Sequence, residues 1–237
     1  PAHVRAVDDL EPTRVDIAYL GACTGAKYED LRAAARVLAG YRVALGVQLL
    51  VAESQLLRDA NRNREAFDLL AQALQKSPDQ PDLLYDHALT AEKLDQFDVL
   101  ESSLKKLIQV KPDHAHAYNA LGYSFAERNI RLPEAKKLIE KALELAPQDF
   151  FIIDSMGWVL YRMGDLAGAA AQLQRAWDGR PDGEIGAHLG EVLWVKGDKD
   201  AAMAVWQGAL LRDPNHPTLL GTLERLGIDT PGITQSK

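Results

Sequence analysis

The sequence predicts an all-α protein built from repeated helical hairpins, with a short segment of βαβ type in front of them. Three observations predict this fold: prolines recur about every 34 residues, small residues recur at fixed distances before those prolines, and the first fifty residues follow a different pattern. The chain has 237 residues, of which 47% are hydrophobic and 26% charged. This is the balance of a folded protein with a substantial core.

Composition and charge exclude several classes of function. The chain carries 27 Lys and Arg against 34 Asp and Glu, a net charge of −7, so it is not expected to bind nucleic acid or acidic lipid through charge alone. We expect no membrane span, because the longest apolar run, residues 43–52, is interrupted by Gly46 and Gln48. The chain begins at Pro1 without an initiator methionine or an apolar leader, so we expect that any targeting peptide has been removed or never existed.

Prolines mark the period of the repeat. They follow one another at intervals of 34, 35, 34 and 33 residues, and each comes after an amphipathic run. The recurring prolines are Pro78, Pro112, Pro147, Pro181 and Pro214. Because proline lacks a backbone N–H and ends a helix, each of them marks the end of one hairpin and the turn into the next.

Small residues recur in phase with these prolines. Twelve residues before each proline the chain has Ala66, Leu100, Ala135, Ala169 and Ala202. Five residues before it the chain has Ala73, Leu107, Ala142, Ala176 and Ala209, so four of the five residues in each of these two columns are alanine. A third column, further upstream, consists of Ser54, Ala88, Gly122, Gly157 and Gly190. Two helices approach closely only where large side chains are absent, so these columns predict the contacts between paired helices.

Turn signals and apolar spacing divide each unit into two helices. The predicted helices span residues 47–60, 63–76, 81–94, 97–110, 115–128, 133–145, 149–163, 166–178, 184–196, 199–212 and 217–226. The last of them is expected to cover the open apolar end of the stack.

These columns resemble those of the tetratricopeptide repeat family. The resemblance covers about residues 47–226 and implies a solenoid of about five helical pairs with a capping helix. On this basis we assign an α/β fragment to residues 1–46, the repeat array to 47–228 and a flexible tail to 229–237. Residues 1–46 carry six Lys and Arg and six Asp and Glu, so the whole net charge lies in the array, which supports a boundary near residue 46.

Residues 114–206 resemble a narrower group than the general repeat. They contain the runs HAHAYNALGY, LPEA, DSMGWV and AHLGEVLW, which are similar to proteobacterial tetratricopeptide repeat proteins, some of them outer-membrane lipoproteins. The resemblance implies a bacterial adaptor that holds a periplasmic carboxy-terminal processing protease and its substrates. It also implies a periplasmic or outer-membrane-associated location, whereas a chain complete as given would be cytoplasmic.

The first fifty residues follow a different pattern. Residues 15–21 are typical of a strand, residues 22–27 of a tight loop and residues 29–39 of an amphipathic helix. Residues 47–52 fit either a second strand, which completes a βαβ unit, or the start of the first repeat helix. We favour the helix, because residues 55–60 continue its apolar spacing and the second repeat needs a neighbour to cover it.

About residues 15–52 resemble the large subunit of 3-isopropylmalate dehydratase and homoaconitase, in the aconitase family. The similar runs are GACT at 21–24 and EDLRAAA at 29–35. The resemblance places Cys23 at the position of a thiolate ligand of a four-iron, four-sulfur cluster. In that family the cluster takes three protein cysteines, and this chain has one, so we expect no cofactor. We interpret the segment as a fragment joined to the array; a hydro-lyase remnant is the alternative.

For the other potentially reactive side chains, the sequence favours capping, packing or hydrogen bonding over catalysis or metal binding. Cys23 has no neighbouring base in sequence, and its glycine loop lacks the spacing of a phosphate-binding loop. His114 and His116 point in different directions at a helix start, so we expect capping or solvated histidines. His188 and Glu191, three residues apart, are a weak metal-binding pattern whose expected role is packing or a surface hydrogen bond. We therefore expect no catalytic residue and no metal site.

In proteins of the resembled family the first helix of each pair lines a concave groove. The resemblance therefore predicts partner-binding residues, which are Tyr85, Asn119, Tyr123, Asp154, Trp158, Tyr161, Arg162, Glu191 and Trp194. The same helix face also receives Leu89, Glu92, Glu127 and Phe151. Tyr and Trp are frequent interface anchors, because they bury a large area and keep a polar group. The alternative for Trp158 and Trp194 is that they fill seams between helices.

We therefore predict a non-catalytic scaffold or adaptor that binds an extended or helical segment of a protein partner in its groove. Recognition of acidic chaperone tails is disfavoured. It would require several Lys and Asn side chains in the groove, and the groove offers only Asn119 and Arg162. Self-association through an uncapped repeat end is a further alternative.

Overall fold

The structure of the protein is a computed structural model that describes residues 17–20, 48–51 and 53–229. The strands are β1 (Ile17–Leu20) and β2 (Gln48–Val51). The helices are α1 (Glu53–Asp59), α2 (Asn63–Lys76), α3 (Pro81–Lys93), α4 (Phe97–Val110), α5 (Ala115–Glu127), α6 (Leu132–Leu145), α7 (Phe150–Arg162), α8 (Leu166–Gly179), α9 (Gly183–Lys196), α10 (Lys199–Arg212) and α11 (Pro217–Leu226). The fold is a series of helical hairpins that follows a short pair of strands.

The two strands correct one prediction. Strands β1 and β2 pair in parallel, with Ile17 opposite Gln48 and Leu20 opposite Val51. The preferred helix over residues 47–60 is therefore wrong at residues 48–51, and the alternative of a second strand is confirmed there. A short apolar run fits a helix and a strand equally well, and here pairing with a distant segment decides the outcome. The helix begins only at Glu53.

Three sequence predictions lie outside the described residues. They are the loop with Cys23, the helix over 29–39 and the tail after residue 229. The remaining helices, from residue 63 onward, agree with their predicted bounds to within one residue at each end.

The chain divides into two compact units between Phe97 and Asp98. In the first unit, α2 packs against α1 and α3. Leu70, Ala73 and Leu83 form the buried contact between α2 and α3. Arg58 on α1 crosses to α3, where its Nη1 donates a hydrogen bond to Thr90 Oγ1 at 2.9 Å.

In the second unit the hairpins are α5 with α6, α7 with α8, and α9 with α10. Helix α11 packs on α9 and α10, where the buried Leu219 and Leu223 join a core around Trp206. The first helices of successive hairpins also contact one another: α5 touches α7, α7 touches α9, and α9 touches α11. This order places α5, α7, α9 and α11 side by side.

Residues with left-handed backbone recur at the hairpin turns with the period of the repeat. They are Asn61, Asp95, Asn129, Gly164 and Gly197. Glycine adopts this conformation at no steric cost, and Asn and Asp tolerate it better than other residues. The turn chemistry of the sequence thus ends each first helix at the place the repeat requires.

The predicted role of the glycine column, a close approach between paired helices, is confirmed. A Cβ atom added to Gly157 would lie 2.5 Å from Leu173 Cγ on the paired helix, and one added to Gly190 would clash with the indole of Trp206. The alanines of the other two columns are fully buried, from Ala66 to Ala209. Small residues therefore set the distance between paired helices.

Among the described residues, none of the helices combines the length and the apolar character needed to cross a membrane.

Candidate functional site

The candidate site lies on the first helices of the second unit. We call the surface formed by α5, α7, α9 and α11 the inner face. Side-chain hydrogen bonds on it join residues 30 to 35 positions apart, which is one repeat. Each such bond therefore connects one hairpin to the next.

A buried ion pair lies at the centre of the inner face. His188 Nδ1 on α9 lies 2.9 and 3.0 Å from the two carboxylate oxygens of Asp154 on α7. Their side chains are only 3% and 5% exposed. Burial by itself lowers the pKa of His188, but the charge and hydrogen bonds of Asp154 outweigh it and raise that pKa to about 9. The histidine is therefore a cation at neutral pH.

Trp158 connects this ion pair to the edge of the face. Its indole stacks on the His188 ring, with the centroids 4.2 Å apart and an angle of 23° between the planes. Its Nε1–H donates a hydrogen bond to Glu127 Oε2 on α5 at 2.8 Å. Asp154, His188, Trp158 and Glu127 thus form one chain of contacts across three helices.

A second polar cluster surrounds Glu191 on α9. The hydroxyl of Tyr161 donates to Glu191 Oε1 at 3.1 Å, and Arg225 Nη2 on α11 donates to Glu191 Oε2. The glutamate side chain is 4% exposed and that of Arg225 is 55% exposed. Burial, together with the neighbouring Glu191 charge, raises the pKa of Tyr161. The cluster holds the capping helix against the array through a charge-assisted bond.

The predicted partner-binding residues fall into two groups. Asp154, Trp158 and Glu191 are buried beneath the surface. The others are partly exposed, and they are Asn119, Tyr123, Tyr161, Arg162 and Trp194 on the inner face and Tyr85 on α3 of the first unit. That these residues contact a partner stays a prediction for all nine.

Two residues of the inner face present buried polar atoms with no hydrogen-bond partner among the described residues. They are Asn119 Oδ1 and Arg162 Nε. The other end of the Arg162 guanidinium donates from Nη2 to the backbone carbonyl of Glu127 at 3.3 Å. Leaving a buried donor or acceptor unpaired costs about 1–3 kcal/mol, so such atoms often mark a place where a ligand binds.

The role of His188 differs from the one its local sequence predicts. With Glu191 it forms a weak metal-binding pattern, but in the structure the two residues bond to different partners, Asp154 and Tyr161. The signal was available, because Asp154 and His188 are 34 residues apart, which is the period of the repeat. Glu184 was also missed; its pKa is raised by burial, with opposing contributions from nearby charges.

The other candidates take the expected ordinary roles where the structure describes them. His114 caps α5, because its Nδ1 accepts a hydrogen bond from the Ala117 backbone N–H at 3.1 Å. His116 Nε2 lies 3.5 Å from Asp149 Oδ2 at the surface. Within residues 53–229, no group of three or more His, Cys, Asp or Glu side chains is arranged to hold a metal ion.

The family follows from the repeat pattern and its match to a known model. The tetratricopeptide repeat model matches residues 85–150 and 155–217, more than half of the chain. The chain belongs to the tetratricopeptide repeat family. Proteins with this fold are scaffolds for protein–protein interaction and are in general non-catalytic.

The relatives of this tetratricopeptide repeat protein are of two kinds. A TPR repeat-containing protein of Pseudomonas aeruginosa is 41% identical over 145 residues, which are 61% of this chain and 25% of that protein. The 3-isopropylmalate dehydratase large subunit of Mycolicibacterium smegmatis is 48% identical over 59 residues, 24% of this chain and 14% of that subunit. The chain therefore spans about a quarter and about a seventh of these two relatives.

A solved structure supports the fold. The crystal structure of a thermophilic TPR protein of Thermus thermophilus superposes with a TM-score of 0.66 at 24% sequence identity, covering 74% of this chain and 96% of that one. The two resembled families, repeat proteins and aconitase-type dehydratases, are thus both found by comparison.

Proposed function

We propose that the inner face binds an extended or helical segment of a protein partner, and that the protein acts as a non-catalytic scaffold. The observation that carries this proposal is the combination of partly exposed aromatic side chains with unpaired polar atoms on one surface. The aromatic members are Tyr123, Tyr161 and Trp194, and the polar members are Asn119 and Arg162.

The unpaired atoms have opposite hydrogen-bonding character. Asn119 Oδ1 is an acceptor and Arg162 Nε–H is a donor. The two side chains are partly exposed, and the backbone of a bound segment offers both an N–H and a C=O at every residue except proline, so it supplies a partner for each once the side chain turns toward it. A protein segment therefore suits this surface better than an apolar small molecule.

The aromatic residues supply apolar area around these polar atoms. Tyr123 lies 6.2 Å from the His188 ring, and Tyr161 lies 5.1 Å from the Trp158 ring, measured between centroids. Because both tyrosines rest on buried rings, their orientation is restricted before a partner binds. Such pre-ordered aromatics lose little entropy on binding.

We further propose the narrower role of a protease adaptor in the bacterial envelope. Its support is the resemblance of residues 114–206 to proteobacterial adaptor proteins of this family. The Pseudomonas relative matches over 145 residues and is named only as a repeat-containing protein. The protein that binds the inner face therefore decides between the general role and the narrower one.

The test is a pull-down from a proteobacterial extract with the wild-type chain, a Tyr123→Ala variant and a Tyr118→Ala control. Tyr123 is on the inner face, whereas Tyr118 lies on the same helix near Lys141 of α6. We expect the wild type and the Tyr118→Ala control to retain the same protein and the Tyr123→Ala variant to lose most of it. A truncated interface aromatic typically costs more than about 1 kcal/mol of binding energy.

Circular dichroism must show equal helical content in all three proteins. Retention of the same proteins by wild type and the Tyr123→Ala variant would place the binding surface elsewhere. If the protein lost from the variant is a processing protease, the adaptor role is supported, and any other partner removes it.

A further inference from the structure

We infer that Glu127 determines the specificity of the inner face by pairing with a Lys or Arg side chain of the bound segment, and that Trp158 is the residue that positions it. This inference rests on the proposed function, because it names the chemistry of a segment bound to that face. It assigns to Trp158 a role other than that of a contact anchor.

Trp158 is suited to positioning rather than to contact. Only 5% of the Trp158 surface is exposed, so a partner can bury little of its ring. One side of the indole rests on His188, which is itself held by both oxygens of Asp154. A donor fixed in this way holds its acceptor, the Glu127 carboxylate, in a single orientation.

Glu127 is exposed, and it lies at an unfavourable place for a carboxylate. It is the last residue of α5, where the helix dipole favours cations and disfavours anions. Helix stability therefore gives no reason for a glutamate here. A carboxylate that is costly to its own helix and is nevertheless held rigidly at the surface is typical of a binding residue.

The carboxylate keeps one oxygen available. Oε2 accepts the Trp158 hydrogen bond, while Oε1 has no hydrogen-bond donor among the residues the structure describes. Two guanidinium groups lie near the same helix end, and each donates to an acceptor other than the Glu127 carboxylate. Arg128 Nη1 donates to Ser124 Oγ at 2.7 Å, and Arg162 Nη2 donates to the Glu127 backbone carbonyl.

The charge of the unit favours a cationic partner group. Residues 98–229 carry 15 Lys and Arg against 19 Asp and Glu, a net charge of −4. The cations of the inner face have partners of their own: His188 pairs with Asp154 and Arg225 with Glu191. Lys196 pairs with Asp198, and Arg162 donates to the backbone carbonyl of Glu127. A Lys or Arg that approaches Glu127 thus meets an open carboxylate oxygen on a unit of net negative charge, and such charge complementarity favours basic segments.

The test is selection from a random peptide library displayed on phage, followed by affinity measurement with synthetic peptides by fluorescence anisotropy. The proteins are the wild-type chain, Glu127→Gln, Glu127→Lys, Trp158→Phe and the control Glu140→Gln. Glu140 is an exposed glutamate of α6, outside the inner face, so its substitution removes the same charge elsewhere.

We expect the wild type and the control to enrich peptides that contain Lys or Arg. Glu127→Gln should lower the affinity for those peptides about two- to fivefold, the range of exposed ion pairs, and leave Lys- and Arg-free peptides unchanged. Glu127→Lys should shift the selection toward Asp and Glu. Trp158→Phe keeps an aromatic ring on His188 but removes the N–H, so it should reduce the preference for basic peptides without reducing the affinity for neutral ones.

The outcomes separate this inference from the proposed function. If wild type selects no peptide at all, both fail. If it selects peptides with no preference for Lys and Arg, or if Glu127→Gln keeps that preference, only the specificity inference is overturned. If Trp158→Phe keeps the full preference that Glu127→Gln loses, the positioning role of Trp158 is wrong.

Discussion

The buried charged side chains of the inner face bond from one hairpin to the next, whereas the exposed ion pairs of the second helix α6 lie within that helix. Asp154 and His188 are buried and belong to different hairpins. Lys136 and Glu140 are 39% and 49% exposed and lie one turn apart on α6. Oppositely charged side chains thus join successive repeats on the inner face and form exposed pairs within a single helix on α6.

The difference between the two sets of charges follows from their burial. A buried charge needs a fixed partner, because water does not reach it, and so it restricts the geometry of everything stacked on it. An exposed pair gains little from its partner, because water screens both charges. The buried pairs of the inner face therefore restrict how the hairpins that they join can move relative to one another.

Breaking the buried pair should give the largest effect. Asp154→Ala leaves His188 buried beside Trp158 without its carboxylate, and removal of one partner of a buried pair costs about 3–5 kcal/mol of unfolding free energy. Urea denaturation followed by circular dichroism measures this change. The double variant Asp154→Leu with His188→Phe removes both charges and keeps an aromatic ring against Trp158.

We expect the double variant to recover most of the stability lost by Asp154→Ala, because no unpaired charge remains. A double variant as unstable as the single one would show that the packing volume at these positions matters more than the charge.

The pH dependence of stability sharpens the same comparison. The pKa of His188 is raised to about 9 by Asp154 and stands near 6.5 in the unfolded chain. A raised histidine pKa contributes stability in full below pH 6.5 and loses it as the pH rises through 9. Wild type should therefore lose up to about 3 kcal/mol between pH 6.5 and pH 10 relative to His188→Gln.

Urea denaturation of both proteins at several pH values in this range measures the difference. Tyrosines and lysines titrate in both proteins, so subtracting the two profiles isolates His188. Parallel profiles would mean that His188 is neutral in the folded protein throughout.

Much of this architecture can be predicted from the sequence, because a repeat states the same information several times. The proline and alanine columns predicted every helix from residue 63 onward, and the glycine column predicted the contacts of Gly157 and Gly190. The prediction failed at residues 48–51, which occur once and pair with a strand about thirty residues earlier. Apolar spacing alone does not report such a distant partner.

The inner face was predicted only in outline. Family positions placed Trp158 and Glu191 on the first helices of their hairpins, but did not show that both are buried, because burial depends on what the neighbouring repeat supplies. Trp158 is covered by stacking on His188, and Glu191 is paired with Arg225 of the capping helix. Each of these contacts crosses about 30 residues, so it becomes visible only when the period is applied to individual side chains rather than to whole helices.

The smallest effect is expected on α6, where Glu140→Gln removes the partner of Lys136. Their charged atoms, Glu140 Oε1 and Lys136 Nζ, are 3.4 Å apart, and both side chains are largely in water. The pair spans one helical turn with the lysine first, which is the weaker of the two orientations. Urea denaturation should show a change of less than about 0.5 kcal/mol in the unfolding free energy. A loss near the several kcal/mol expected for Asp154→Ala would mean that position within a hairpin, rather than burial, determines how much a charged side chain contributes to the stability of this protein.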